Sequence, residues 1–293
     1  MTPLNLQDQW ARLLISSLKA AGVEHVNVTP GSRSTPWTWA ALQQPGLCCH
    51  LHIDERSAAF FALGQAKATG APSLLICTSG SAVANYFPAV IEANASRTPL
   101  LVLSADRPFE LQGVDAPQTI DQTKLFGSHC RRYLDLGVPS ARHSALRALA
   151  RTAVQAVHAT QYPEPGPVQL NARASKPLEP QSAEGELASS LEREVETLVL
   201  AGPTRASTPT AQADVAAIRR CAESAVAAAR GLILCGPEPM ASQKHAGPLW
   251  EFASATGFLV LCEAASQRRF AVPQGFPDAQ VCDGFPTLFG LDE

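Results

Sequence analysis

The chain has 293 residues, 46 % hydrophobic and 17 % charged, and nowhere contains the roughly 18 consecutive apolar residues of a membrane span. Its net charge is -3 and its 23 Lys and Arg residues are scattered, which excludes a basic footprint for nucleic acid or for an anionic lipid surface. A soluble globular protein of one large or two ordinary domains is expected, with small molecules rather than nucleic acid or membrane as its partners.

Trp10, Leu13, Leu14 and Leu18 recur at helical spacing, and Gly22 supplies the stop. A short β-type run from His25 to Thr29 leads into Pro30-Gly-Ser-Arg-Ser-Thr35, and Pro36 suits the first turn of a helix reaching Leu42. The unit then repeats. Strands are expected at Leu47 to Asp54, Ser73 to Thr78 and Pro99 to Ser104, and helices at Ser57 to Thr69 and Ala82 to Ala95. Beyond an irregular stretch from Ala105 to Gln122, strands at Arg132 to Leu136 and Gly166 to Asn171 flank a helix from His143 to His158.

Short apolar strands alternating with helices predict an α/β fold, a parallel sheet covered by helices on both faces. Residues 1–180 form the expected first domain. Composition then shifts to Pro, Ser, Thr, Ala and Glu, so residues 181–212 are expected as a linker. A second α/β domain is expected over residues 213–293, and its pattern stops at Glu293 short of a typical domain of ~100 to 150 residues.

In such a sheet, ligands gather at the carboxyl ends of the strands. Gly31-Ser32-Arg33, Glu55 and Thr78-Ser79-Gly80-Ser81 all fall there. The first block places a glycine, hydroxyls and a guanidinium before a helix, where free N–H groups favour an anion; a plain helix cap at Ser34 or Thr35 explains it equally well. Thr78 to Ser81 repeats that arrangement, and Asp106-Arg107-Pro108 adds a cation at the same rim. Glu55 suits a helix start, but Phe60 and Phe61 follow it, and a carboxyl in an apolar pocket can stay protonated near neutrality. The eight cysteines show no CxxC or Cys/His metal spacing and are expected to be reduced and mostly buried. Without a basic, apolar leader the chain is expected to be cytoplasmic.

Taken together, PGSRSTP, HIDERSAAFFALGQAKATG, CTSGSAVANYFPAVIEA, PLLVLSADRP and APQTIDQTKLFG resemble the N-terminal part of thiamine diphosphate enzymes. Within them the blocks are similar to the 2-succinyl-5-enolpyruvyl-6-hydroxy-3-cyclohexene-1-carboxylate synthases of menaquinone biosynthesis, over about residues 5–180. The resemblance implies a pyrimidine-binding domain in which Glu55 is the catalytic contact to the aminopyrimidine ring. It implies that Thr78, Ser79, Gly80 and Ser81 line the cofactor site, and that Ser32, Arg33, Arg107 and Gln118 hold substrate. Expected cofactors are thiamine diphosphate and Mg2+; expected substrates are 2-oxoglutarate and isochorismate; a homodimer or homotetramer is expected. Residues 213–293 become a partial middle domain, and the C-terminal diphosphate-binding domain with its metal ligands is expected to be absent. The string Cys282-Asp-Gly-Phe285 lacks the glycine that opens the family's diphosphate signature. This chain alone is therefore expected to be inactive. The alternatives are a carboligase or decarboxylase of acetohydroxyacid synthase type, or a non-catalytic pyrimidine-domain subunit.

Overall fold

In the computed structural model, which describes residues 3–204, 206–209, 212–238, 246–269 and 271–282, the alternating pattern becomes two compact units, Met1–Ser207 and Thr208–Glu293. Positions 283–285 of the diphosphate-like string lie outside the described residues.

The first unit is built on six parallel strands: β1 (His25–Val28), β2 (Cys48–Leu51), β3 (Ser73–Cys77), β4 (Leu100–Asp106), β5 (Arg132–Asp135) and β6 (Pro167–Arg173). Their order is β2-β1-β3-β4-β6-β5. Helices α1 (Leu6–Ala20), α2 (Thr35–Gln43), α6 (His143–Ala159) and α7 (Glu186–Ala201) cover one face; α3 (Glu55–Thr69), α4 (Ser81–Ala84) and α5 (Phe87–Ala95) cover the other. Strand alternation divides the core. Leu101 and Leu103 of β4 join Trp10, Leu14 and Val28, whereas Leu100 and Val102 join Ala62, Val83 and Tyr86. Burial on both faces is why residues 74–77 of β3 and 100–103 of β4 read as unbroken apolar runs. The expected α/β fold class is the observed one.

Three local expectations differ from the structure. The helix expected over Ala82 to Ala95 is two helices, because Pro88 lacks an N–H and sits in the first turn of a new helix, α5. The segment expected as a linker carries α7, which packs Leu191 and Val195 into the core formed with α1 and α6. Strand β6 runs two residues beyond Asn171, and that extension sets Arg173 opposite Asp106 of β4.

The second unit contains α8 (Val215–Ala227), β7 (Leu232–Cys235), α9 (Gly247–Thr256), β8 (Leu259–Cys262) and β9 (Val281–Cys282), with parallel strands in the order β7-β8-β9. Its small core gathers Cys235, Trp250, Ala253, Val260 and Cys262, with Phe276 edge-on to Trp250 at 5.0 Å. Among the described residues no helix is long and apolar enough to cross a membrane. None of the eight cysteines is in a disulfide, and Cys77, Cys235 and Cys262 are the buried ones; Cys48 and Cys221 are exposed, contrary to the expectation of mostly buried thiols.

Candidate functional site

From β1 the chain crosses to β2 on one side, and from β2 it returns past β1 to β3 on the other, the kind of reversal that opens a crevice at the strands' carboxyl ends. Each strand around that crevice delivers one predicted block. Gly31-Ser32-Arg33 follows β1, Glu55 follows β2, Thr78 to Ser81 follow β3 and Arg107 follows β4.

Gly31 and Thr78 bind the first and third blocks together. A Cβ on Gly31 would lie 2.2 Å from the Thr78 Cβ, so only glycine permits this approach. The Ser34 hydroxyl donates to the Gly31 carbonyl at 2.9 Å and closes the turn. Arg33 is buried and donates from Nη1 to the Ala174 carbonyl, just past β6, at 2.6 Å. Ser32 is exposed and lines two open depressions, one shared with Thr29, Gly31 and Trp39 and one with Lys176 and Glu179.

The Thr78–Ser81 turn is clamped from the loop that follows β4. Ser79 donates its hydroxyl to the Gln118 carbonyl and receives the Gln118 amide on its own carbonyl, each at 3.1 Å. The Gln122 side chain accepts from the Gly80 N–H at 2.9 Å and donates to the Ala105 carbonyl at 3.1 Å. Gly80 has φ 86°, and a Cβ there would meet Gln118 Cγ at 2.9 Å. In this structure the predicted substrate residue Gln118 thus holds the predicted cofactor turn.

Arg33 and Arg107 share the rim. Burial lowers the Arg33 pKa from its ordinary value and the nearby charge of Arg107 lowers it further, with Asp106 opposing. Arg107 donates from Nη2 to the Pro117 carbonyl at 2.8 Å. The Nε atoms of both guanidiniums and the Thr78 hydroxyl are buried without hydrogen-bond partners among the described residues. Two neighbouring cations with donors unsatisfied make a receptive place for an anion.

Glu55 opens α3, behind Asp54, whose carboxylate caps the Ser57 N–H at 2.8 Å. The helix start is therefore capped by Asp54, and Glu55 is not needed for it. Its carboxylate makes no hydrogen bond or ion pair among the described residues. Cys77 and Tyr86 lie within its electrostatic reach: burial pushes both groups upward, and the Glu55 charge adds to each shift. The Tyr86 hydroxyl is 3.3 Å from that of Thr29. Phe60 and Phe61, expected to enclose Glu55, are instead half-exposed, and the Phe61 ring packs on His52 at 4.9 Å.

Residues absent from the sequence-based site hold its far side. Asp106 is buried in an ion pair with Arg173 at 3.0 Å, and it accepts from Asn171 at 2.8 Å and from the Arg107 N–H at 2.7 Å. Arg173 also meets Asp135 at 3.0 Å and covers the Phe109 ring at 4.1 Å. The signal for this network was the charged strand end NAR, visible only once β6 is known to lie beside β4.

Comparisons with known proteins agree with the resemblance carried by the motifs. Residues 8–125 match the family described as thiamine pyrophosphate enzyme, N-terminal TPP binding domain. The chain is 47 % identical over 267 residues to a 2-succinyl-5-enolpyruvyl-6-hydroxy-3-cyclohexene-1-carboxylate synthase of Sorangium cellulosum, covering 90 % of this chain and 43 % of that protein. Proteins of the same name from Haloarcula marismortui and Myxococcus xanthus are each 42 % identical, over 100 % and 91 % of this chain and 50 % and 45 % of their own lengths. The chain spans about half the length of the curated relatives it matches.

Proposed function

We infer that this chain is the pyrimidine-binding part of a thiamine diphosphate-dependent 2-succinyl-5-enolpyruvyl-6-hydroxy-3-cyclohexene-1-carboxylate synthase, which decarboxylates 2-oxoglutarate and joins the four-carbon unit to isochorismate. The observation that carries the reading is the convergence of Glu55, the Thr78–Ser81 turn, Arg33 and Arg107 at the carboxyl ends of four adjacent strands. The likeness to named synthases supports the choice of substrates.

The residues present fit the aminopyrimidine end of the cofactor. A Glu55 carboxylate without a partner among the described residues, an orphaned Thr78 hydroxyl and a glycine-tight wall offer polar partners. When bound, thiamine diphosphate supplies the electron sink that makes loss of carbon dioxide from a 2-oxo acid feasible. Glu55 would face a ring nitrogen of the bound cofactor and exchange a proton with it, as a general acid and base. Arg33 and Arg107 receive substrate carboxylates and fix their orientation. Gln118 and Gln122 keep the Thr78–Ser81 backbone in place while Ser32 presents a hydroxyl at the open rim.

Mg2+ accompanies the diphosphate in this reading, with none of its ligands assigned to the residues described. The enzyme acts in the cytoplasm as a homodimer or homotetramer; exposed Phe60 and Phe61 on α3 and Ile91 on α5 offer an apolar face for a second copy. The test is a chimera in which this chain replaces the matching half of the Sorangium cellulosum relative. It should consume 2-oxoglutarate and isochorismate; a chimera that binds cofactor yet consumes pyruvate instead refutes the assignment.

A further inference from the structure

We propose that His25, Cys48 and His50 form a binding site for a thiophilic divalent cation of the zinc class at the edge of the first unit's sheet. None of the three belongs to the site described above, so the proposal stands independently of the cofactor reading.

Strand pairing creates the cluster. The β1–β2 register sets His25 directly opposite Cys48, and the two-residue repeat of β2 turns Cys48 and His50 to the same face. Cys49 lies between them and packs toward the core on the opposite face. One ligand atom from each of His25, Cys48 and His50 lies within 4.8 Å of the other two. Cys48 Sγ and His50 Nε2 are already 3.4 Å apart, and the two imidazole centroids are 5.9 Å apart. A tetrahedral ion with zinc–sulfur and zinc–nitrogen bonds of ordinary length sets its ligand atoms about 3.5 Å apart. No separation therefore needs to shorten by more than about 1.3 Å, within reach of a small side-chain rotation.

His25 Nδ1 is buried without a hydrogen-bond partner among the described residues, so none of them holds this nitrogen in competition with a metal. Phe61 backs His50 at 5.3 Å and shields one side of the cluster. A thiolate with two imidazoles suits zinc far better than magnesium or calcium, which prefer oxygen. On binding, the Cys48 S–H proton passes to solvent as the sulfur–metal bond forms, and water completes the fourth position.

Cobalt(II) titration of the intact chain tests the site, because a cobalt-bound thiolate gives a charge-transfer absorption. One equivalent should produce the band, and zinc should erase it by displacement. Cys48→Ser should abolish the band and His50→Ala should weaken cobalt binding about tenfold or more. Cys221→Ser, which removes an exposed thiol of the second unit, should change neither. Zinc should raise the thermal midpoint of the unaltered chain but not of Cys48→Ser. Cys48 is exposed, so its replacement leaves the core intact, as circular dichroism would verify. Absence of the band, or its persistence in Cys48→Ser, overturns the proposal.

Discussion

Arg173 carries more of the site than its place at a strand end suggests. It is buried between Asp106 and Asp135 and lies over Phe109, so replacing it with an apolar residue leaves Asp106 buried and without its cation. Arg173→Met should cost about 3 to 5 kcal/mol, read as a shift in the urea midpoint. Gly31→Ala should cost about 1 to 3 kcal/mol by forcing the first turn off Thr78, and calorimetry of the two chains compares them directly. With Arg107 as the proposed receptor of a substrate carboxylate, Arg107→Ala should cost one charge-assisted hydrogen bond, about 1.5 to 3 kcal/mol, and reduce kcat/KM about ten- to 150-fold in the chimeric enzyme while sparing cofactor binding. At this scale the sequence exposed every group with a motif: the glycines, hydroxyls and Arg33 of PGSRSTP, the Thr78–Ser81 turn and Glu55. It hid Arg173, Gln122 and the His25–Cys48–His50 cluster, because each acquires its partners through strand pairing or loop docking across long stretches of chain.

Helices α1 and α7 show what periodicity discloses at the scale of an element. The apolar stripe of α1 is dense and was plain in the sequence. That of α7 contributes only Leu191 and Val195 as buried residues, amid serine and glutamate that match a linker's composition. A chain cut at Ser207 should therefore unfold at higher urea than one cut at residue 180, which loses α7 from the core it shares with α1 and α6. Asp8 on α1 gives a pH signature. Burial raises its carboxyl pKa above the ordinary 3.8, while the hydrogen bond it accepts from the Gln181 N–H partly offsets this. The protonated form is the one the fold prefers. Its contribution is complete below the unfolded value and is lost as pH rises through the folded value. Asp8→Asn should remove that loss, raising stability near neutrality and flattening the pH dependence above 3.8, as denaturant midpoints across pH would record.

Across the molecule, two units share the chain, and the assigned chemistry lies in the first, where neighbouring strand ends converge on one crevice. Alternation of apolar strands with helices was enough to place those ends on one rim; the order of strands, which decides which blocks become neighbours, was not written in any local pattern. Asp54 supplies the cap of α3, which leaves Glu55 available for the proposed role of proton carrier. Exchange of the thiazolium C2 proton, followed by NMR in the cofactor-loaded chimera, reports that role without either substrate. The Glu55→Gln variant should bind cofactor yet exchange this proton about a hundredfold or more slowly. Exchange at the unaltered rate would contradict the assignment of Glu55 and the site built around it.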